Sequence, residues 1–191
     1  LMLNTLLVRG LETIGYDKPT SADYDNLLAG DREAILLAIR KATFGEVVEG
    51  VVSCPGCGVE QDVDINLTTD VEVKELTDPV SDRVFEVQLK AGKAVVGLPN
   101  GITQRKMMEA AGKSTAELTS IFLGSCLISV NDTPSMGAST AVSLGLMDRE
   151  KLMTEIAERN PGPRLGAVIK ACKACGVEIS IPFSLADLFR L

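Results

Sequence analysis

The chain has 191 residues, enough to bury roughly 70% of the surface its unfolded form would expose, and its 46% apolar and 24% charged residues are ordinary for a globular protein. Aromatic residues make up 4% and Trp is absent, so the core must be built from Leu, Ile, Val, Ala and Met. A formal charge of −7 disfavours a nucleic-acid partner, whose phosphates are held by clustered Lys and Arg, and favours solubility and protein partners.

Residues 1–45 read as an N-terminal helical segment. Leu3, Leu6, Leu7, Leu11 and Ile14 recur at the spacing of one helix face until Gly15 stops it. Nothing at the start has the charged and then apolar character of a cleaved leader, so export is not expected. After a loop over 17–21, Asp31 is expected to N-cap a helix through 32–40 that Gly45 closes. Residues 46–98 read as the first half of a β-rich zinc module. At Val47 the period switches: 47–52 leads into Cys54, and Val59, Val63, Ile65 and Leu67 leave Cys57 at near-alternating positions, the pattern of a hairpin with cysteines at its turn. Further strands are expected at 71–76, 84–89 and 94–97.

Residues 99–163 read as a helical insertion, with helices over 102–111 and 115–130, a polar turn at 131–135, and helices over 138–145 and 148–158. Asn160-Pro161-Gly162-Pro163 ends the last of these, since neither proline can continue a helix. The most apolar stretch, 121–130, is broken by Gly124 and two serines and falls well short of the ~18 residues of a membrane span. Residues 164–191 read as the second zinc knuckle and a C-terminal helix. Val177, Ile179 and Ile181 alternate away from Cys175 before a closing helix over 185–189. The expected fold class is α+β, with N-terminal helices, a zinc-ribbon-like β module, a helical insertion and a second knuckle that closes the zinc site.

Cys54-Pro55-Gly56-Cys57-Gly58 and Cys172-Lys173-Ala174-Cys175-Gly176 carry the strongest chemical signal. Two residues between cysteines let both thiolates meet one ion at about 2.3 Å. The following glycine permits the positive φ that turns backbone N–H groups towards sulfur. Two such knuckles supply Cys54, Cys57, Cys172 and Cys175 as a closed set of four ligands, which points to structural zinc. Two disulfides are the first competing chemistry, and the chain's cytosolic character argues against them. A thioredoxin-like redox pair is the second, and neither knuckle opens a helix as that pair requires. Cys126, within an apolar run, reads as a small buried hydrophobe.

The chain contains no His, which removes Ser-His and Cys-His nucleophile pairs and His-bearing catalytic zinc sites, so no enzymatic activity is expected. Ala111-Gly112-Lys113-Ser114-Thr115 ends like a phosphate-binding loop, but Met107 stands where that loop needs its first glycine, and a helix is expected where it needs a strand. Asn66-Leu67-Thr68 and Asn131-Asp132-Thr133 match a glycosylation acceptor, a pattern that carries little weight without a secretory context.

The run from Leu27 to Gly45, then a strand, then Cys54-Pro55-Gly56-Cys57-Gly58, resembles the T-even-type baseplate proteins of contractile-tailed phages. The later part is similar to related proteins of contractile injection machines: Leu98-Pro99-Asn100-Gly101-Ile102-Thr103-Gln104-Arg105 resembles their Leu-Pro-x-Gly-x-x-Gln segment, and Cys172-x-x-Cys175-Gly176 with Ile181-Pro182-Phe183 resembles their terminal knuckle. The resemblance implies a structural or assembly component of a tail baseplate, made in the bacterial host cytoplasm and binding other baseplate or tail proteins. The alternative is a zinc-ribbon nucleic-acid-binding or transcription-associated factor. That reading needs a basic stripe around Arg164, Lys170 and Lys173, and three cations among so many acids are thin.

Overall fold

Apolar-rich strands on either side of each cysteine pair, alternating in the strand that follows it, build two antiparallel hairpins in the computed structural model, which describes residues 2–189. In chain order, helices α1 (Met2–Gly10), α2 (Ser21–Asn26) and α3 (Ala29–Phe44) precede strands β1 (Val47–Ser53), β2 (Glu60–Asn66), β3 (Val73–Lys74), β4 (Val84–Leu89) and β5 (Gly92–Gly97). Helices α4 (Gly101–Glu109) and α5 (Thr115–Cys126) follow, then β6 (Leu127–Val130), β7 (Thr133–Pro134), α6 (Ala138–Ser143) and α7 (Leu146–Arg159). The last strands are β8 (Gly162–Pro163), β9 (Gly166–Ala171) and β10 (Glu178–Phe183), and a 3-10 turn at Asp187–Phe189 follows them. The fold is α+β. No described helix is long and apolar enough to cross a membrane.

The chain forms two units, one from residues up to 11, 33–74 and from 162 on, the other from 12–32 and 75–161, so a boundary falls within α3. In the first unit, β1 pairs with β2 from Val47↔Asn66 to Ser53↔Glu60, and β9 pairs with β10 from Gly166↔Phe183 to Ala171↔Glu178. Val63, Ile65 and Leu67 from one hairpin and Val168, Ile179, Ile181 and Phe183 from the other bury against Leu37 of α3 and Leu188, with Cys54 and Cys172 in the same core. Each fully buried Leu, Ile or Phe contributes about 1.5–3 kcal/mol, so this side-chain layer supplies most of the unit's apolar stabilisation. Where the chain leaves this unit and returns, Val73 pairs with Pro163 and Lys74 with Gly162.

The second unit holds the antiparallel sheet β4-β5-β6-β7 and helices α4 to α7, around Val87, Leu89, Ala94, Val96, Leu123, Leu127, Leu152 and Ile156. Asn100 caps α4 by accepting from Thr103 N at 3.1 Å, and Ser114 with Glu117 forms a capping box on α5. A Cβ on Gly124 would collide with the backbone of Gly137 and Ala138, so α5 meets the start of α6 backbone to backbone. The Asp148 carboxylate, 5% exposed, accepts from Lys90 N at 2.8 Å and Ala91 N at 3.0 Å and fixes the β4–β5 turn.

Several elements depart from their sequence patterns. The helix expected over 115–130 ends at Cys126, because Leu127 to Val130 pair with Val96 to Ala94 of β5. The first helix stops at Gly10, and Ile14 forms a bridge with Asp17 instead of a last turn. Asp31 lies inside the first turn of α3 rather than capping it. Ala29 N donates to Pro99 O at 2.8 Å, a long-range contact at the point where the helix starts, three residues earlier than expected. The closing helix is the single 3-10 turn.

Candidate metal centre

The two knuckles are local copies. Cys54 N donates to Val59 O at 3.0 Å and Gly58 N to Cys54 O at 2.9 Å; Cys172 N donates to Val177 O at 2.8 Å and Gly176 N to Cys172 O at 2.9 Å. Gly58 at φ 72 and Gly176 at φ 75 occupy the left-handed region that reverses each turn, where a Cβ would be strained. The reversal aims backbone donors at sulfur: Gly56 N lies 3.3 Å from Cys54 Sγ.

The hairpins bring all four sulfurs within 4.8 Å of one another. Cys54 Sγ lies 3.6 Å from Cys175 Sγ and Cys57 Sγ 3.8 Å from Cys172 Sγ, two contacts that run between the knuckles. A regular tetrahedron of sulfurs about 2.3 Å from a central ion has edges of about 3.8 Å, so the separations fit a tetrahedral cation with thiolate ligands. Four sulfurs complete such a sphere and leave no position for water or substrate. Cys54 and Cys172 are buried, and Cys57 and Cys175 are exposed.

Proton affinities diverge within the cluster. Backbone N–H groups of Cys175 and Ala174 hold the Cys172 thiol down at about 6. Cys175 receives the Val177 N–H, which favours its thiolate, but hydrogen bonds shared with Cys54, Cys57 and Cys172 outweigh it and push the thiol up to about 12. Four thiolates this close cannot all ionise unaided, and a dication at their centre would supply the missing charge.

Three polar contacts seat the second hairpin on β2 and the turn that follows it. Lys173 N donates to Gln61 Oε1 at 2.8 Å, Lys173 Nζ to Asp62 O at 2.6 Å, and Lys170 Nζ pairs with Asp70 Oδ2 at 2.6 Å. Cys126 is not brought to the cluster. It lies 2% exposed in the core of the second unit, where burial raises its thiol to about 11. Lys113 and Ser114 sit in the turn between α4 and α5, with no strand before them and the Ser114 hydroxyl bonded to Glu117 Oε2 at 2.7 Å.

A family model described as T4 bacteriophage base plate protein matches residues 14–190. The chain belongs to that family. No curated protein and no solved structure matches it. The Leu98-to-Arg105 segment of this baseplate protein proves to be a fastening. Gly101 N donates to Leu27 O at 3.0 Å, and a Cβ at Gly101 would strike the Tyr24 carbonyl. Gln104 Oε1 accepts from Arg32 Nε at 2.6 Å, Arg32 Nη1 donates to Tyr24 O at 2.8 Å, and Arg105 clasps Asp25 through both Nη atoms at 2.7 and 3.0 Å. Arg32 is 5% exposed, and burial pulls its pKa below the usual guanidinium value. Sequence reasoning quoted Gln104 and Arg105 only for resemblance and gave Arg32 no role. The residues lie in the two segments that carry the resemblance, an Arg on the helix of one and a Gln in the other, but their pairing spans 72 positions.

Proposed function

We propose that this chain is a non-enzymatic structural or assembly component of a contractile phage tail baseplate, stabilised by one structural zinc ion held by Cys54, Cys57, Cys172 and Cys175, and that it acts by binding other baseplate proteins. The family match across residues 14–190 carries the reading. The all-sulfur donor set, the separations of 3.6 and 3.8 Å across the knuckles and the absence of a free ligand position support zinc in a closed, non-catalytic role. Zinc selects this chemistry because thiolates suit a borderline-soft cation without geometric preference of its own. The test combines native mass spectrometry of the purified chain with mass spectrometry of purified particles. One zinc ion per chain and the chain's presence in tails or assembly intermediates are expected. A metal-free native chain with its cysteines in disulfides would overturn the zinc site, and absence from every tail species would overturn the baseplate role.

A further inference from the structure

β1 has β2 on one side and no strand on the other among the described residues. Parity decides which of its backbone groups face outward. Leu67 N donates to Glu46 O at 2.8 Å and Cys54 N to Val59 O at 3.0 Å. The even-numbered residues of β1 therefore form the hydrogen-bonded pairs with β2, and the amides and carbonyls of Val47, Glu49, Val51 and Ser53 point away from it. The Val47 carbonyl accepts from Arg40 Nη2 at 3.2 Å. The backbone groups of Glu49, Val51 and Ser53 have no partner among the described residues. The same residues turn their side chains to solvent, Val51 being 66% and Val47 43% exposed.

The outer edges of β10 and β2 are blunted. On β10, Pro182 occupies a position whose amide would face outward. Along the outer edge of β2, Lys173 Nζ holds Asp62 O and the Asp70 carboxylate accepts from Asn66 N at 2.7 Å. β9 turns out Ala167, Ile169 and Ala171, with one large side chain among them. β1 has no Pro, no Lys and no bulge, the devices that ordinarily protect an edge from pairing.

Charge selects the occupant. Glu49 lies directly opposite Asp64, Val51 opposite Asp62 and Ser53 opposite Glu60 on the exposed face of the hairpin. None of these four carboxylates forms an ion pair among the described residues, and like charges directly across a ladder are destabilising. A strand bearing Lys or Arg at alternate positions would relieve that repulsion. A second copy of β1 would instead bring another Glu49 and its acidic neighbours alongside.

We propose that the outer edge of β1 is a docking edge for an extended, basic strand of another baseplate protein, which adds to the hairpin as a third strand beside Val47–Ser53. Main-chain hydrogen bonds to Glu49, Val51 and Ser53 would supply affinity, and the acidic face would supply selectivity. The inference rests on the reading that the chain works by binding baseplate proteins.

The probe is an end-blocked eight-residue peptide of alternating Val and Lys, with a Val–Glu peptide as control, added to the full zinc-loaded chain. Amide hydrogen exchange is read by NMR. In the free protein Val48, Gly50 and Val52 should be protected while Glu49, Val51 and Ser53 exchange quickly. The Lys peptide should slow those three amides at least ten-fold, and the Glu peptide should not. Val51→Pro deletes an outward amide without removing a β1–β2 bond, and Val51→Lys keeps the backbone but sets a cation against the incoming strand. Each should weaken the Lys peptide at least ten-fold. No slowing by the Lys peptide, equal slowing by the Glu peptide, or slowing that follows protein concentration alone would overturn the proposal, the last by making a second copy the occupant. Tails that incorporate the Val51→Lys chain as fully as the natural one would also overturn the docking edge, while leaving the baseplate role standing.

Discussion

Replacing Cys175 by Ser removes one of four thiols whose nearest partner, Cys54 Sγ, is 3.6 Å away on a hairpin 121 positions earlier in the chain. A serine hydroxyl stays protonated and binds zinc poorly. If four thiolates share an apparent binding energy of about 10–16 kcal/mol, one accounts for about 3–4 kcal/mol, a loss of two to three decades in metal affinity. What that affinity secures is a cross-link between Cys57 and Cys172, 115 positions apart. In the chain-entropy picture, closing a loop of that length is worth about 5 kcal/mol, comparable to the net stability of a small domain. The contacts that seat the second hairpin without metal, Lys173 on Gln61 and Asp62 and Lys170 on Asp70, are partly exposed and contribute about 1 kcal/mol each at most. Hydrogen exchange should therefore show protection collapsing in β1, β2, β9 and β10 of the variant, and zinc should pass to a competing chelator at least a hundred-fold more readily. Cys126→Ala, which leaves a small cavity in the other unit costing on the order of 1 kcal/mol or somewhat more, should keep both properties. Native protection in those four strands of Cys175→Ser would refute the claim that metal organises the unit.

Gln104→Leu strands the buried Arg32 Nε and should cost about 1–3 kcal/mol in urea denaturation, whereas Arg105→Ala, which loses a half-exposed pair with Asp25, should cost less than about 1 kcal/mol; the reverse order would undo the fastening role given to Arg32. Burial would raise the Asp70 pKa, but the Lys170 ammonium and the Asn66 N–H outweigh it and hold the carboxyl below its ordinary value. A depressed folded pKa stabilises above the unfolded value near 4 and is lost as pH falls through the folded one, so the acid limb of stability should be shallower in Asp70→Asn, by less than about 1 kcal/mol, when thermal unfolding is followed between pH 5 and pH 2. At physiological salt the chain should leave duplex DNA unshifted in gels at micromolar protein, because its charge is −7, and a salt-dependent shift would count against the protein-partner reading.

The hairpins and the cysteine cluster were legible because their determinants are local. Val63, Ile65, Ile179 and Ile181 alternate with polar residues, and all four are buried. The strand-to-helix choice in 121–130 was not legible, since an apolar run of Ile, Phe, Leu and Val satisfies either period and only pairing with β5 ends the helix at Cys126. Gly162-Pro163 read as a helix stop and also serves as half of a two-residue ladder with Val73-Lys74, a role written in residues about ninety positions away. Arg32 likewise stood only as the first residue of an expected helix, and its burial goes with Gln104 and the Tyr24 carbonyl, which no local pattern reveals.

The order in which the sulfurs occur along the chain sets a schedule. Cys54 and Cys57 leave the ribosome with their hairpin, but Cys172 and Cys175 follow only after every residue of the 12–32 and 75–161 unit has been made. At bacterial synthesis speeds the interval is on the order of ten seconds, far longer than a hairpin or a small helical unit needs to fold. During that wait two thiols stand without the other pair, and a chain broken off anywhere before Cys175 never completes the set. The four-sulfur cluster thus reports that synthesis has passed Cys175, and any quality control that senses metal loading or the stability it brings would separate chains that have passed that point from chains broken off before it.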